Sequence, residues 1–255
     1  MKSVFTCGVN VDVPKQDFTS KSKAAFGLLW ADAKFAFSKS DILKWSIWWA
    51  FGTCGNFQVG NYIQPLWEEI APVADNEIYN GGVEAVTTLL GAVAAFSVAY
   101  VDFDWNLVGD LVLCIISLID AATLVLMALT DDIWVAYVSY VVFRMSYQTM
   151  ITIISYQVAK EIRPDSYGLI FGVNTFCALL LQTILTMVVV EPFGLGLGPR
   201  KQFVVYGGYF GSLGILFLGF AVYVLCFKKP VTKKESWEQE SVPREEPPVG
   251  LTESF

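Results

Sequence analysis

The sequence predicts an all-α transmembrane fold of about six membrane-crossing helices. Three observations carry that expectation. Hydrophobic residues make up 55% of the chain and the mean hydropathy is +0.51, above what soluble domains carry. The apolar residues are gathered in blocks rather than spread at a helical or strand period. Six of those blocks are each close to the roughly 20 residues that cross a bilayer as a helix.

Taken in order, residues 1–24 are mixed polar sequence and read as a flexible arm. They hold no signal-peptide core, because Asp12, Pro14, Lys15 and Asp17 interrupt the longest apolar stretch. In residues 24–44, Leu28, Leu29, Trp30, Phe35 and Phe37 alternate with Lys34, Lys39 and Lys44, the pattern of a helix lying among lipid headgroups. An exposed linker with a few aromatics is the alternative. Residues 1–44 are thus assigned to an arm, 45–227 to a six-helix domain and 228–255 to a disordered tail rich in Glu, Pro, Ser and Lys.

The six spans are expected near Trp45 to Trp67, Asn80 to Val101, Asn106 to Leu129, Ile133 to Ala159, Tyr167 to Val190 and Phe203 to Phe227. Thr130, Asp131 and Asp132 leave room only for a tight turn between the third and fourth. Lys34, Lys39 and Lys44, then Lys160 and Arg163, then Lys228, Lys229, Lys233 and Lys234 all fall on one side of six alternating crossings. Cytoplasmic loops are enriched in such residues, so both termini are expected in the cytoplasm, with Arg200 and Lys201 as exceptions on the other side.

The net charge of −7 sits in tails and loops and identifies no partner. Nucleic-acid binding has no support, because no basic stripe with interleaved aromatics is present. The chain has no histidine, which removes histidine catalysis, His-rich metal sites and histidine proton relays. The scattered Cys7, Cys54, Cys114, Cys177 and Cys226 form no CxxC pair and read as ordinary buried thiols. No cofactor and no metal are expected.

Polar residues inside apolar spans need another helix or an aqueous cavity. In the first span Cys54, Gln58, Asn61 and Pro65 recur at helical spacing with Tyr62 and Gln64 beside them, lining a cavity or serving as interhelical bonds. Pro65 is expected to loosen the backbone there. In the second, Glu84 shares a side with Thr87, Thr88, Gly91 and Ala95, and either pairs with a cation or substrate or caps its own helix. Asp120 in the third has no assigned partner.

The fourth span is the most polar, with Tyr137, Tyr140, Arg144, Gln148, Thr152 and Ser155 in one stripe and Tyr147 adjacent. An unpaired arginine there costs roughly 2.5 to 3.5 kcal/mol on insertion scales, so Arg144 needs a wet cavity or a carboxylate such as Glu84 or Asp120. In the fifth span Asn174, Ala178, Gln182 and Thr186 repeat at i+4, and in the sixth Gly207, Gly211 and Gly214 form a packing face. Helices that each offer one polar face describe a bundle around a solute path, favouring transporter or channel over receptor. An enzyme is the weakest option: Ser/His hydrolysis is excluded, and Asp110 and Asp120 lie at i+10 in one helix rather than as a facing pair.

The runs WSIWWAF (45–51), GNFQVGNYIQPLW (55–67), YNGGVEA (79–85) and TLLGA (88–92) resemble the seventh and eighth helices of the vitamin carrier family of reduced-folate and thiamine transporters. YVVFRMSYQ (140–148), FGVNTF (171–176) and GLGLGPRKQF (194–203) resemble its tenth and eleventh helices and the entry to the twelfth. The likeness runs in family order from about Leu28 to Phe227. It implies the six-helix C-terminal half of a major-facilitator-type transporter, with the six preceding helices missing from this chain and a second six-helix unit or second copy as partner.

The resemblance further implies that Asn61 contacts substrate and that Arg144 and Gln148 face the cavity. The expected substrate-binding set is Gln58, Asn61, Tyr62, Glu84, Arg144, Gln148 and Gln182. Folate carriers present an arginine and, on the eleventh helix, a lysine, and Gln182 stands where that lysine would be. This favours a cationic vitamin, thiamine, over a dianionic folate, with uptake at the plasma membrane. The alternatives are reduced-folate transport, or a truncated isoform that associates with a full carrier without transporting.

Overall fold

A computed structural model of the protein describes residues 27, 30, 31, 33–72, 79–98, 100, 105–162 and 166–227. They form six long helices: α1 Ser40–Ile70, α2 Asn80–Val98, α3 Trp105–Leu129, α4 Ile133–Glu161, α5 Tyr167–Val189 and α6 Pro199–Phe227. No strand occurs among the described residues. The residue 1–24 arm, the 228–255 tail, Arg163, Leu28 and Leu29 lie outside them. Helical backbone at 33–37 ends in a bend at 38–39, and α1 begins at Ser40, five residues ahead of the expected span.

Segments within α2, α3, α5 and α6 are long and apolar enough to cross a membrane by length and composition. The 31-residue α1 and the 29-residue α4 have the length but carry the polar residues that lower their hydropathy. Packing explains the difference. α2 packs on α4, α4 on α1 and α1 on α5, while α3 and α6 lie against each other behind α4 and α1. Helices with neighbours on several sides can hold polar groups that a lipid-facing helix cannot satisfy. Pro65 lies inside α1, which continues to Ile70, and is exposed.

The α3/α6 seam rests on the glycine face. A Cβ at Gly207 would stand 2.6 Å from Val125 Cγ2 and 3.2 Å from the Ala121 carbonyl oxygen, and one at Gly214 would stand 2.9 Å from Leu118 Cδ2. Only glycine allows this approach. Phe143 of α4 meets Phe210 of α6 edge-on at 5.4 Å between centroids, and the Trp48 indole N–H donates to Ser117 Oγ at 3.1 Å, tying α1 to α3. The turn into α6 needs a left-handed residue, supplied by Gly196 at φ 56°.

Charge marks the two ends. At one, Lys44 Nζ lies 2.8 Å from the buried Asp110 carboxylate and Lys39 Nζ 3.6 Å from that of Glu161. At the other, Arg200 reaches Asp131 at 2.7 Å and Glu69 at 3.5 Å and donates to the Thr130 carbonyl at 2.9 Å. This accounts for Arg200 as an exception to the loop-charge pattern: two acids and a helix C-terminus occupy it. Arg200→Ala is expected to cost about 1–2 kcal/mol of stability, the discounted worth of a half-exposed cluster. Thermal unfolding in detergent checks it against Lys201→Ala, an exposed neighbour, and equal shifts for the two would assign the effect to net charge alone.

Candidate functional site

The stripe on α4 becomes a ladder of side-chain bonds to its neighbours. Tyr137 donates to Asn80 Oδ1 at 2.6 Å and Tyr140 to Glu84 Oε1 at 2.7 Å, both on α2. Arg144 Nη1 donates to Asn56 Oδ1 at 2.7 Å, and the Tyr147 hydroxyl meets Thr53 Oγ1 at 3.1 Å, both on α1. Asn80 Nδ2 donates in turn to Gln64 Oε1 at 2.7 Å, closing the top of the seam. α2 and α4 run parallel in constant register, so Gly91 lies against the stem of Gln148 below these rungs.

Two charges in this seam have neutral partners. Glu84 is held by a phenol, and among the described residues no cation lies within ion-pair distance of it. Arg144 is held by an amide, its Nε has no hydrogen-bond partner, and no described carboxylate lies within 4.0 Å. Neither carboxylate offered as its structural partner takes that place: Glu84 is bonded to Tyr140, and the fully buried Asp120 on α3 has the Ser146 hydroxyl beside it. Glu84 does not cap its own helix, since its carboxylate points to α4. Thr87, also buried, leaves its hydroxyl oxygen unpartnered on the same face of α2.

The expected polar face of α1 divides. Gln58 is fully buried and bridges three helices, its Nε2 donating to the Tyr206 hydroxyl of α6 and its Oε1 accepting from Thr186 of α5, each at 3.1 Å. Cys54 is buried as well, whereas Asn61, Gln64 and Pro65 are exposed and Tyr62 is half-buried. Gln58 therefore has the geometry of an interhelical bond, and Asn61 that of an open surface. On α5, Asn174 donates to Ser46 at 3.2 Å and Ala178 is buried, so that polar line is turned toward α1, with Gln182 half-buried within it. Glu84, Arg144 and Gln148 share one seam; Gln182 lies on the opposite flank of α1. Of the described cysteines Cys54 and Cys114 are buried, but Cys177 and Cys226 are exposed, against the expectation of buried thiols.

Thr53, Asn56 and Asn80 were missed as participants. A signal existed: Thr53, Asn56, Gly60, Gln64 and Trp67 recur at i, i+3, i+7, i+11 and i+14, a second stripe on α1 from which Thr53, Asn56 and Trp67 meet α4 and Gln64 meets α2. Trp67 lies edge-on to Tyr137 and Tyr140 at 4.9 and 5.2 Å, covering the ladder at its end. The described residues contain no cluster of three metal-ligating side chains. The seam offers donors, acceptors, one carboxylate and one guanidinium without an activated nucleophile, a constitution for holding a polar solute.

A family model described as reduced folate carrier matches residues 8–205. Thiamine transporter 1 of Mus musculus is 46% identical over 214 residues, covering 82% of this chain and 43% of the relative. Thiamine transporter 2 of Homo sapiens is 44% identical over 222 residues, 87% of this chain and 44% of that protein. The human reduced folate transporter is 38% identical over 180 residues, 69% of this chain and 30% of that protein. The chain thus spans less than half the length of these curated relatives.

Proposed function

The chain belongs to the reduced folate carrier family, and on that premise we propose that it supplies a six-helix half of a vitamin carrier working by alternating access, with thiamine as the solute. The observation that carries the choice of solute is the charge of the seam. Glu84 is held by a phenol and Arg144 by an amide rather than by each other, which keeps one carboxylate open to a cationic solute. Gln182 adds no second positive charge that a dianionic folate would call for. The 42–49% identity to thiamine transporters, against 38–40% to folate transporters, supports the same side.

A second six-helix unit, from another chain or a second copy, completes the path in this reading. Asn61 is exposed on a helix whose other amides are bonded to neighbouring helices, and lipid would leave such a group unsatisfied. Asn61, Tyr62, Arg144 and Gln148 then face the solute, while Gln58 holds α1, α5 and α6 together. The protein resides in the plasma membrane with both termini cytoplasmic. The same exposed surface favours one other reading, a non-transporting subunit that docks on a full carrier.

Uptake of labelled thiamine and labelled reduced folate by cells expressing this chain, with surface labelling as control, tests these readings. Thiamine uptake above folate uptake is the expected outcome, and Gln182→Lys should depress thiamine uptake more than folate uptake. Folate uptake exceeding thiamine uptake at equal surface delivery overturns the choice of solute. Surface delivery without uptake of either leaves the docking subunit.

A further inference from the structure

The end of the bundle that carries Lys34, Lys39 and Lys160 holds a groove that the polar seam does not use. Two adjacent cavities of about 580 and 590 Å³ share Phe37 and Val173 in their walls, one reaching Trp30 and Lys34 and the other running along α5 to Ile184. Its α1 wall includes Ile47 and Phe51, and its α5 wall includes Leu180. The polar side chains in its floor, Ser46 and Asn174, are bonded to each other at 3.2 Å. A polar solute would find little to bond there, whereas an alkyl chain would displace nothing.

We infer that this groove binds an anionic phospholipid, with one acyl chain lying between α1 and α5 and the phosphate at Lys34. Length fits: from Leu169 to Ile184 the α5 wall runs about 22 Å at 1.5 Å per residue, enough to pass through one leaflet of a hydrocarbon core roughly 30 Å thick. Charge fits at one end only. Lys34 is exposed at the mouth and has no ion-pair partner among the described residues, while Lys39 beside it is engaged by Glu161. Trp30 and Phe35 stand exposed around it, as aromatic side chains do at a membrane surface. An unpaired lysine attracts an anionic headgroup and not a zwitterionic one, so the site discriminates by headgroup charge. The inference rests on the membrane placement of the helices and not on the identity of the solute.

Native mass spectrometry of the detergent-purified chain, titrated with phosphatidylserine or phosphatidylcholine, reads the retained lipid. Phosphatidylserine is expected to be retained preferentially, and Lys34→Glu, a surface change that leaves the fold intact, to lower its retention about tenfold or more. Val173→Trp, which fills the groove, should remove retention of both lipids. Cys177 gives an independent reading, being exposed on the groove wall. Its maleimide labelling should slow as phosphatidylserine is added, with Cys226 unchanged. Equal retention of the two lipids, or Cys177 labelling indifferent to saturating phosphatidylserine, would overturn the proposal; Cys177 protected with or without lipid would mean that a protein helix fills the groove.

Discussion

Gly207→Val is expected to destabilise the chain by about 3 kcal/mol or more, while Gly208→Val, one residue along, leaves it nearly unchanged. The two positions share a helix and a residue type but not an environment. At Gly207 the first carbon of any side chain would stand 2.6 Å from Val125 and 3.2 Å from the Ala121 backbone. At Gly208 nothing lies within 4 Å. Overpacking of a close seam costs about 1–3 kcal/mol where side chains can yield, and more where backbone stands in the way. Against a total of roughly 5–15 kcal/mol, such a loss would be visible as a lower unfolding midpoint and a smaller monodisperse fraction on size exclusion. Matching behaviour of the two variants would show that α3 and α6 do not approach through the glycine face.

The second large effect reverses an intuition about buried charge. Asn56→Leu should destabilise the protein by about 2–3 kcal/mol, because it leaves the half-buried Arg144 guanidinium without the acceptor it has among the described residues. Arg144→Met should cost less, since it removes the charge together with its desolvation, although Asn56 then loses a donor. The double variant should be more stable than Asn56→Leu alone. Unfolding of the four proteins in one detergent measures the coupling, and additive effects would mean that Arg144 draws its solvation from elsewhere. Uptake sorts the same variants differently: the proposed solute path predicts that Arg144→Met abolishes it even where the fold survives.

Much of this was legible before any coordinates. All six helices follow from the length of their blocks, apolar in α2, α3, α5 and α6 and broken by polar residues in α1 and α4, and the glycine spacing in α6 announced a packing face. The stripe Tyr137, Tyr140, Arg144 and Gln148 was visible as a stripe because each member is conspicuous in an apolar helix. What failed was the assignment of sides on α1. Gln58 and Asn61 are three residues apart, near enough to read as one face, yet Gln58 turns into α5 and α6 while Asn61 faces outward.

The sequence by itself therefore determined which segments are helices and which of them hold polar groups, while α1 and α6 run longer than their apolar blocks. It does so because the bilayer demands internally bonded backbone and taxes each polar side chain, constraints that act residue by residue along the chain. Only the tertiary structure decided which polar group meets which: that Tyr140 and not Arg144 takes Glu84, that Asn56 rather than Asn61 holds Arg144, and that Arg200 clamps two acids at one end. Those pairings depend on the rotation and register of one helix against another. Successive positions on a helix stand about 100° apart, so rotating a helix by a fraction of that exchanges a buried neighbour for an exposed one, and such rotations are settled by contacts between residues far apart in the chain.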